Sequence, residues 1–499
     1  MKMKKLFVNL ILAVACLLAV GCSVSNEGAD YDALMNFDGY YDEGVMPPTG
    51  SGDQFGEFTD NPFVKTSQQN VSTFSVDADG ASYAILRRYL NEGRDVNPSS
   101  VRIEELLNYF TFDYASPTGN HTVAINAEVG ECPWTPQHRL LRLGIKGKEL
   151  TKEETPRANF VFLVDVSGSM ATKDKLDLLK SGLKAMLSQM NPDDRISLIT
   201  YSGEVKKLLE STPVREEHKI VAAINKLNAN GYTNGGEALK MAYEEAIANY
   251  DPKCNNRIIL GTDGDFNFGI TSTSALTEMV EGYAKKGIYL TCLGFGTGNL
   301  NDEMMESISN HGNGTYHYID SEEEMMKVFV HERERFVSVA NDAKCQVTFD
   351  SKLISEYRLI GYENRMMSND DFKDDKKDAG EIGAGQTITA LYELVLSNDL
   401  DGKAGKTFVT FDFRYKKSLD AESIPLQKTL EVEHIFNKNG RSHDFYFAAG
   451  VAAYGMVLRH SPYKGDATID MAQKLVSGNL GSDPHGYRAK LLELMDKAK

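Results

Sequence analysis

Phe160-Val161-Phe162-Leu163-Val164-Asp165-Val166-Ser167-Gly168-Ser169 is the stretch on which the fold turns. Five apolar residues in a row, four of them β-branched or aromatic, run into a carboxylate followed by two hydroxyls at alternate positions. An unbroken apolar run of this length fits a strand buried on both faces, as in a parallel sheet covered by helices. Short runs of the same kind recur at 195–201, 257–260, 288–295 and 314–318. Between them, 175–190, 216–228, 235–249, 274–286 and 322–339 have helical spacing. Strands alternating with helices predict an α/β unit, and ligands of such units bind where strands end at their C-terminal edge.

The loop leaving 160–164 has the chemistry for that edge. Asp165, Ser167 and Ser169 alternate, so their oxygens can converge on one point, and Gly168 permits the tight path between them. Oxygen-only donors suit a hard cation such as Mg²⁺, and without His or Cys zinc is disfavoured. Taken alone, this pattern is equally good helix-capping chemistry. Two further segments point to the metal. Gly231-Tyr232-Thr233-Asn234-Gly235-Gly236 precedes a predicted helix and offers the Thr233 hydroxyl, while Thr262-Asp263-Gly264 follows the run at 257–260 and offers a second carboxylate.

These three segments, in this order, resemble the metal-ion-dependent adhesion site of von Willebrand factor type A domains. The resemblance covers about residues 158–338, and the domain is assigned to 158–340. It implies a Rossmann-like, mostly parallel sheet between helices. It also implies direct contacts of Ser167, Ser169 and often Thr233 with Mg²⁺ or Mn²⁺, with Asp165 and Asp263 acting largely through waters. A carboxylate from a protein or glycan partner would complete the coordination, a binding role rather than an enzymatic one. Outside this unit, Ser72-Thr73-Phe74-Ser75-Val76-Asp77, Val101-Arg102-Ile103-Glu104-Glu105, Cys132-Pro133-Trp134 and Tyr357-Arg358-Leu359-Ile360-Gly361-Tyr362-Glu363-Asn364-Arg365 are similar to the flanking regions of a group of bacterial von Willebrand factor type A lipoproteins.

The remaining segments are consistent with export. Lys2, Lys4 and Lys5 precede an apolar run ending Leu18-Ala19-Val20-Gly21-Cys22, which resembles a lipoprotein signal, although Ala19 stands where Leu is usual. Cys22 would become the lipidated N-terminus, anchoring the chain to a membrane of the bacterial envelope. Residues 23–70 are predicted to form a flexible acidic tether. The region 71–157 begins with helices at 81–90 and 98–110 and continues with strands at 121–129 and 139–146. The region 341–499 holds alternating strands at 344–350, 387–395, 407–415 and 428–436, then helices at 444–459, 467–475 and 486–497. The α/β unit is therefore expected to be inserted into, or docked on, a β-rich body with C-terminal helices.

A formal charge of −17 with no basic stripe excludes a nucleic-acid partner as a reasonable expectation. Cys132, Cys254, Cys292 and Cys345 allow three pairings that spacing does not decide, and Cys292 reads as a small core residue. No small-molecule substrate is indicated, and no H-E-x-x-H, G-x-S-x-G or Walker loop occurs. Ser181 and Lys184 have S-x-x-K spacing, but on a predicted helix and without partner motifs. Two alternatives to metal-dependent binding stand. In one, a structural scaffold uses the metal only to stabilise loops; in the weaker one, a metal assists hydrolysis.

Overall fold

Alternation along the strand Ala158–Asp165 sets the layering of the α/β unit. Successive side chains point to opposite faces of a sheet. Phe160, Phe162 and Val164 pack with Leu179 and Leu183 of the helix Leu178–Leu187 and with Ile220 and Ile224 of Glu217–Asn225. Val161 and Leu163 pack on the other side with Ala238 and Leu239 of Gly236–Ala248 and with Met305 and Ile308 of Asp302–His311. The computed structural model describes residues 52–231, 236–264, 273–397, 403–436 and 440–499.

The α/β sheet has six strands, in the order Tyr316–Ile319, Ile288–Phe295, Asn255–Thr262, Ala158–Asp165, Arg195–Tyr201 and Val205–Pro213. All neighbours are parallel except the last pair, whose antiparallel edge strand the sequence reading missed. In register, Val164 lies opposite Gly261 and Asp165 opposite Tyr201. The loops after Asp165 and Thr262 therefore leave from the same edge.

Two further sheets form the body, built from chain on both sides of the α/β unit. Arg139–Gly147 pairs with Val123–Glu131 and, across the insertion, with Thr387–Leu396. Val71–Ser75 pairs with Ser338–Phe349, which also pairs with Thr407–Lys416. Phe74, Leu141, Leu143, Val347, Ile388 and Phe411 fill the space between these sheets. The outer face of the first sheet, at Leu140 and Leu391, is covered by helices including His443–Leu458. That helix is apolar nearly all round, as a helix enclosed on every side must be.

Several elements differ from the sequence reading, each for a physical reason. The helix expected at 98–110 is split into the turn Pro98–Ser100 and the helix Ile103–Asn108, because Arg102 leaves helical geometry to bond Glu105 and Asp302. The helix expected at 322–339 becomes Glu322–Met326, Lys327–His331 and Arg333–Phe336, and the chain then enters the strand Ser338–Phe349 directly. Tertiary packing overrides the helical periodicity there, since Phe329 lies on Phe162 and Phe336 on Phe160. The strand expected at 428–436 is Ile424–Glu431, followed by the short helix Val432–Phe436. Asp302–His311 escaped the reading because its buried face carries Asp302, Glu306 and Ser309, which hides the apolar period.

Residues 52–70, assigned to a tether, are instead docked on the folded body. Gln54 N donates to Leu300 O at 2.7 Å, and Val64–Lys65 pairs with Ile354–Ile360. Cys22 and the rest of the predicted signal and tether up to residue 51 lie outside the described residues. Cys132, Cys254, Cys292 and Cys345 are unpaired, and Cys292 is fully buried among apolar neighbours. No helix of the described residues is long and apolar enough to cross a membrane.

Candidate functional site

At the C-terminal edge of the parallel sheet the Asp165 loop is pinned on both sides. Val166 N donates to Tyr201 O at 2.9 Å, Asn230 N to Val166 O at 2.7 Å and Gly168 N to Gly231 O at 3.0 Å. The last two bonds tie this loop to the segment that leads into Thr233. Thr233 itself lies outside the described residues.

Asp165 is fully buried, and both carboxylate oxygens are used. One accepts from Ser167 N at 2.8 Å; the other accepts from Thr262 Oγ1 at 3.2 Å. Thr262 Oγ1 in turn accepts from Gly264 N at 3.2 Å, so the second loop is held to the first. Gly264 has φ +94, and a Cβ there would sit 2.7 Å from Asn301 N, so the turn after Asp263 requires glycine. Ser167 Oγ and Ser169 Oγ lie 2.9 Å apart, the first buried and the second exposed at the mouth. Burial is the main cause that lifts the Asp165 carboxyl to about 6, with the Asp263 charge adding to it.

Asp263 is also fully buried. Its Oδ2 accepts from Lys175 Nζ at 2.9 Å, while its Oδ1 has no hydrogen-bond partner among the described residues. Lys175 stands in the irregular first turn Lys173–Asp177, ahead of the helix Leu178–Leu187. Its stem crosses Gly296, where a Cβ would come within 2.1 Å of Lys175 Cε. The glycine therefore leaves the groove through which the ammonium reaches Asp263.

A von Willebrand factor type A family model matches residues 159–331, and a second von Willebrand factor model matches residues 49–142. A model of the C-terminal part of the uncharacterised protein YfbK matches residues 334–499. Uncharacterised protein YfbK of Escherichia coli (strain K12) is 36% identical over 472 residues, covering 89% of this chain and 81% of that one. The chain belongs to the YfbK family. Uncharacterised protein sll0103 of Synechocystis sp. is 28% identical over 41% of this chain and 46% of its own. A solved von Willebrand factor type A structure from Catenulispora acidiphila covers 75% of this chain and 89% of its own, with 15% identity and a TM-score of 0.43.

In this member of the YfbK family the donor set suits a divalent cation. Asp165, Ser167, Ser169 and Asp263 offer only oxygen, from two loops that the hydrogen bonds hold at one edge. The buried Asp263 Oδ1, which has no hydrogen-bond partner among the described residues, is the kind of atom a cation would satisfy. The residues fit a hard ion such as Mg²⁺. The sequence expectation names these residues but not two others that shape the loops. In the sequence Thr262 stands out only as the neighbour of Asp263, and Lys175 only as the start of a helix. The 88-residue separation of Lys175 from Asp263 carries no local signal of their pairing.

Proposed function

We propose that this YfbK-family chain is a lipid-anchored envelope protein whose von Willebrand factor type A domain binds a protein or glycan partner through Mg²⁺ or Mn²⁺. Asp165, Ser167, Ser169, Thr233 and Asp263 would hold the ion. When bound, it supplies a positive centre that accepts a carboxylate from the partner. The observation that carries this reading is the convergence of buried Asp165, buried Asp263 and the Ser167–Ser169 hydroxyl pair at one sheet edge, with Asp263 Oδ1 lacking a hydrogen-bond partner among the described residues. The chain's own residues do the rest. Thr262 and Ser167 N orient Asp165; exposed Ser169 opens the site to the surface. An acidic chain with a formal charge of −17 has little else with which to attract a carboxylate. The anchor rests on Lys2, Lys4, Lys5 and Cys22.

One observation favours a second reading. Lys175 already pairs with the charge of Asp263, so the loops can hold their shape without an ion and the domain could serve as a scaffold. Calorimetric titration of the full, chelator-treated chain with Mg²⁺ and Mn²⁺ separates the two. The binding reading expects one saturable site that Asp165→Ala abolishes. A folded wild-type chain that takes up neither ion at the loops leaves the scaffold reading. Metabolic labelling with palmitate, lost on Cys22→Ala, tests the anchor independently.

A further inference from the structure

Residues 52–54, which the sequence assigns to a tether, are fastened to a loop beside the candidate metal site. That loop follows the strand Ile288–Phe295, whose Gly294 lies opposite Thr262 in register. It therefore leaves the sheet at the same edge as the donor loops. Four backbone groups of this loop are satisfied by three residues of the N-terminal segment. Gly298 O accepts from Gly52 N at 3.1 Å, and Leu300 O accepts from Gln54 N at 2.7 Å. In return, Gly298 N and Leu300 N donate to Asp53 Oδ1 at 2.6 and 3.3 Å. Asp53 Oδ2 accepts from the Tyr89 hydroxyl at 2.5 Å, on the helix Ala81–Asn91. Gln54 O accepts from Asp302 N at 3.0 Å, where the helix Asp302–His311 begins.

The other side of this loop touches the turn after Asp263. A Cβ on Gly264 would stand 2.7 Å from Leu300 Cα and Asn301 N and 3.0 Å from Asn299 O. These are backbone atoms, so the contact cannot be relieved by turning a side chain, and close-packed groups of this kind transmit displacement. Gly296 of the same loop bears the stem of Lys175, whose ammonium reaches Asp263. A shift of the loop is therefore felt both at the turn and at the ammonium paired with Asp263.

We propose that Asp53 is a positioning residue for the metal site, and that Gly52–Gln54 is a strap coupling the N-terminal chain to the affinity of the donor loops. The consequence for affinity rests on the metal-binding reading above; the coupling between the two loops does not. A docked strap holds the loop against Gly264 and keeps the Asp263 turn preorganised for the ion. A displaced strap frees four backbone groups and slackens the turn, so the ion binds less tightly. Coupling is reciprocal, so the bound ion in turn holds the strap down. The stretch from Cys22 leads straight into Gly52, which links the proposed anchor to the partner-binding edge through the strap.

The test uses the full chain. In Asp53→Ala, hydrogen exchange should quicken at Gly298 and Leu300, which lose their acceptor. It should quicken also at Gly264, whose own bond to Thr262 is untouched by the substitution. Mg²⁺ should bind about fivefold weaker by calorimetry. Asp53→Asn keeps an oxygen for both amides and should restore both readouts. Thr66→Ala removes a bond between the same N-terminal segment and Ile354 O of the body, and should lower the urea midpoint without moving either readout. A purely structural role for Asp53 would make Asp53→Ala and Thr66→Ala behave alike. Unchanged exchange at Gly264 in Asp53→Ala overturns the proposal, as does undiminished Mg²⁺ affinity in that variant. A wild-type chain that binds no Mg²⁺ sinks the metal-binding reading, and the coupling then stands or falls on the exchange at Gly264. If Asp53→Ala does not fold by circular dichroism, Gln54→Pro, which removes the N–H donor to Leu300 O, decides by the same measurements.

Discussion

The loop edge of the parallel sheet and the junction between the α/β unit and the body both bury carboxylates, and they balance them differently. At the loop edge Asp263 meets a single ammonium, Lys175, on a flexible four-carbon stem. At the junction Arg102 and Arg365 make several bonds each to carboxylates brought from distant segments. A guanidinium fixed by several bonds holds a geometry; a lysine can move aside. Under the proposed function the first pairing can give way to an ion, whereas the second holds two parts of the fold together.

The sharpest way to break this contrast is to remove an arginine from the junction. Arg102→Met leaves Glu105 and Asp302 buried without their partner, and urea unfolding should show a loss of about 3–5 kcal/mol. A loss below about 1 kcal/mol would mean that the junction carboxyls are neutral and hold nothing together. Asp165→Ala should instead abolish Mg²⁺ binding, weakening it more than 100-fold by calorimetry. Its unfolding free energy should change by only about 1 kcal/mol, because burial already disfavours that carboxylate. Lys175→Met sharpens the contrast further. With the competing ammonium gone, Mg²⁺ should bind about tenfold tighter by the same titration. Weaker binding would make Lys175 a residue that positions Asp263 rather than one that competes for it.

The smallest effect concerns a base without a carboxylate of its own. His317, on the strand Tyr316–Ile319, is pushed down to about 3 by burial first and then by the charge of Lys327. The unfolded chain binds this proton below about pH 6.5 while the folded chain does not, so stability falls as pH drops from 7 towards the folded value. Between pH 7 and 5 the loss should be about 1 kcal/mol, discounted for the ring's partial exposure. His317→Gln should flatten that part of the urea-midpoint profile. An unchanged slope would place the proton uptake elsewhere.

The two regions also differ in how visible they are before folding. Asp165, Ser167, Ser169 and Asp263 stand directly after apolar strands, so the strand ends announced them. Thr233 is expected from glycines ahead of a helix, and it lies outside the described residues. At the junction each segment looked distinctive, but nothing in Val101-Arg102-Ile103-Glu104-Glu105 announces Asp302 or Asp77 as its partners. The edge strand Val205–Pro213 was missed because its exposed face is polar and lacks the apolar run of its neighbours. The docking of residues 52–70 was missed because their contacts, such as Gln54 with Leu300, are backbone bonds that composition does not encode.

By itself the sequence determined what depends on short-range periodicity: the buried strand Ala158–Asp165 and its parallel neighbours, most of the helices that cover them, and the loops at the strand ends. Backbone geometry repeats every two residues in a strand and about every 3.6 in a helix, so a few consecutive side chains suffice to report it. Only the tertiary structure decided that strands from before and after the α/β unit pair into one body, that Lys175 meets Asp263, and that Asp77, Asp79, Glu105, Asp302 and Glu306 share two arginines at the junction. Those outcomes follow from burial and charge pairing between segments 88 to more than 200 residues apart, set by how the layers close and not by any local pattern.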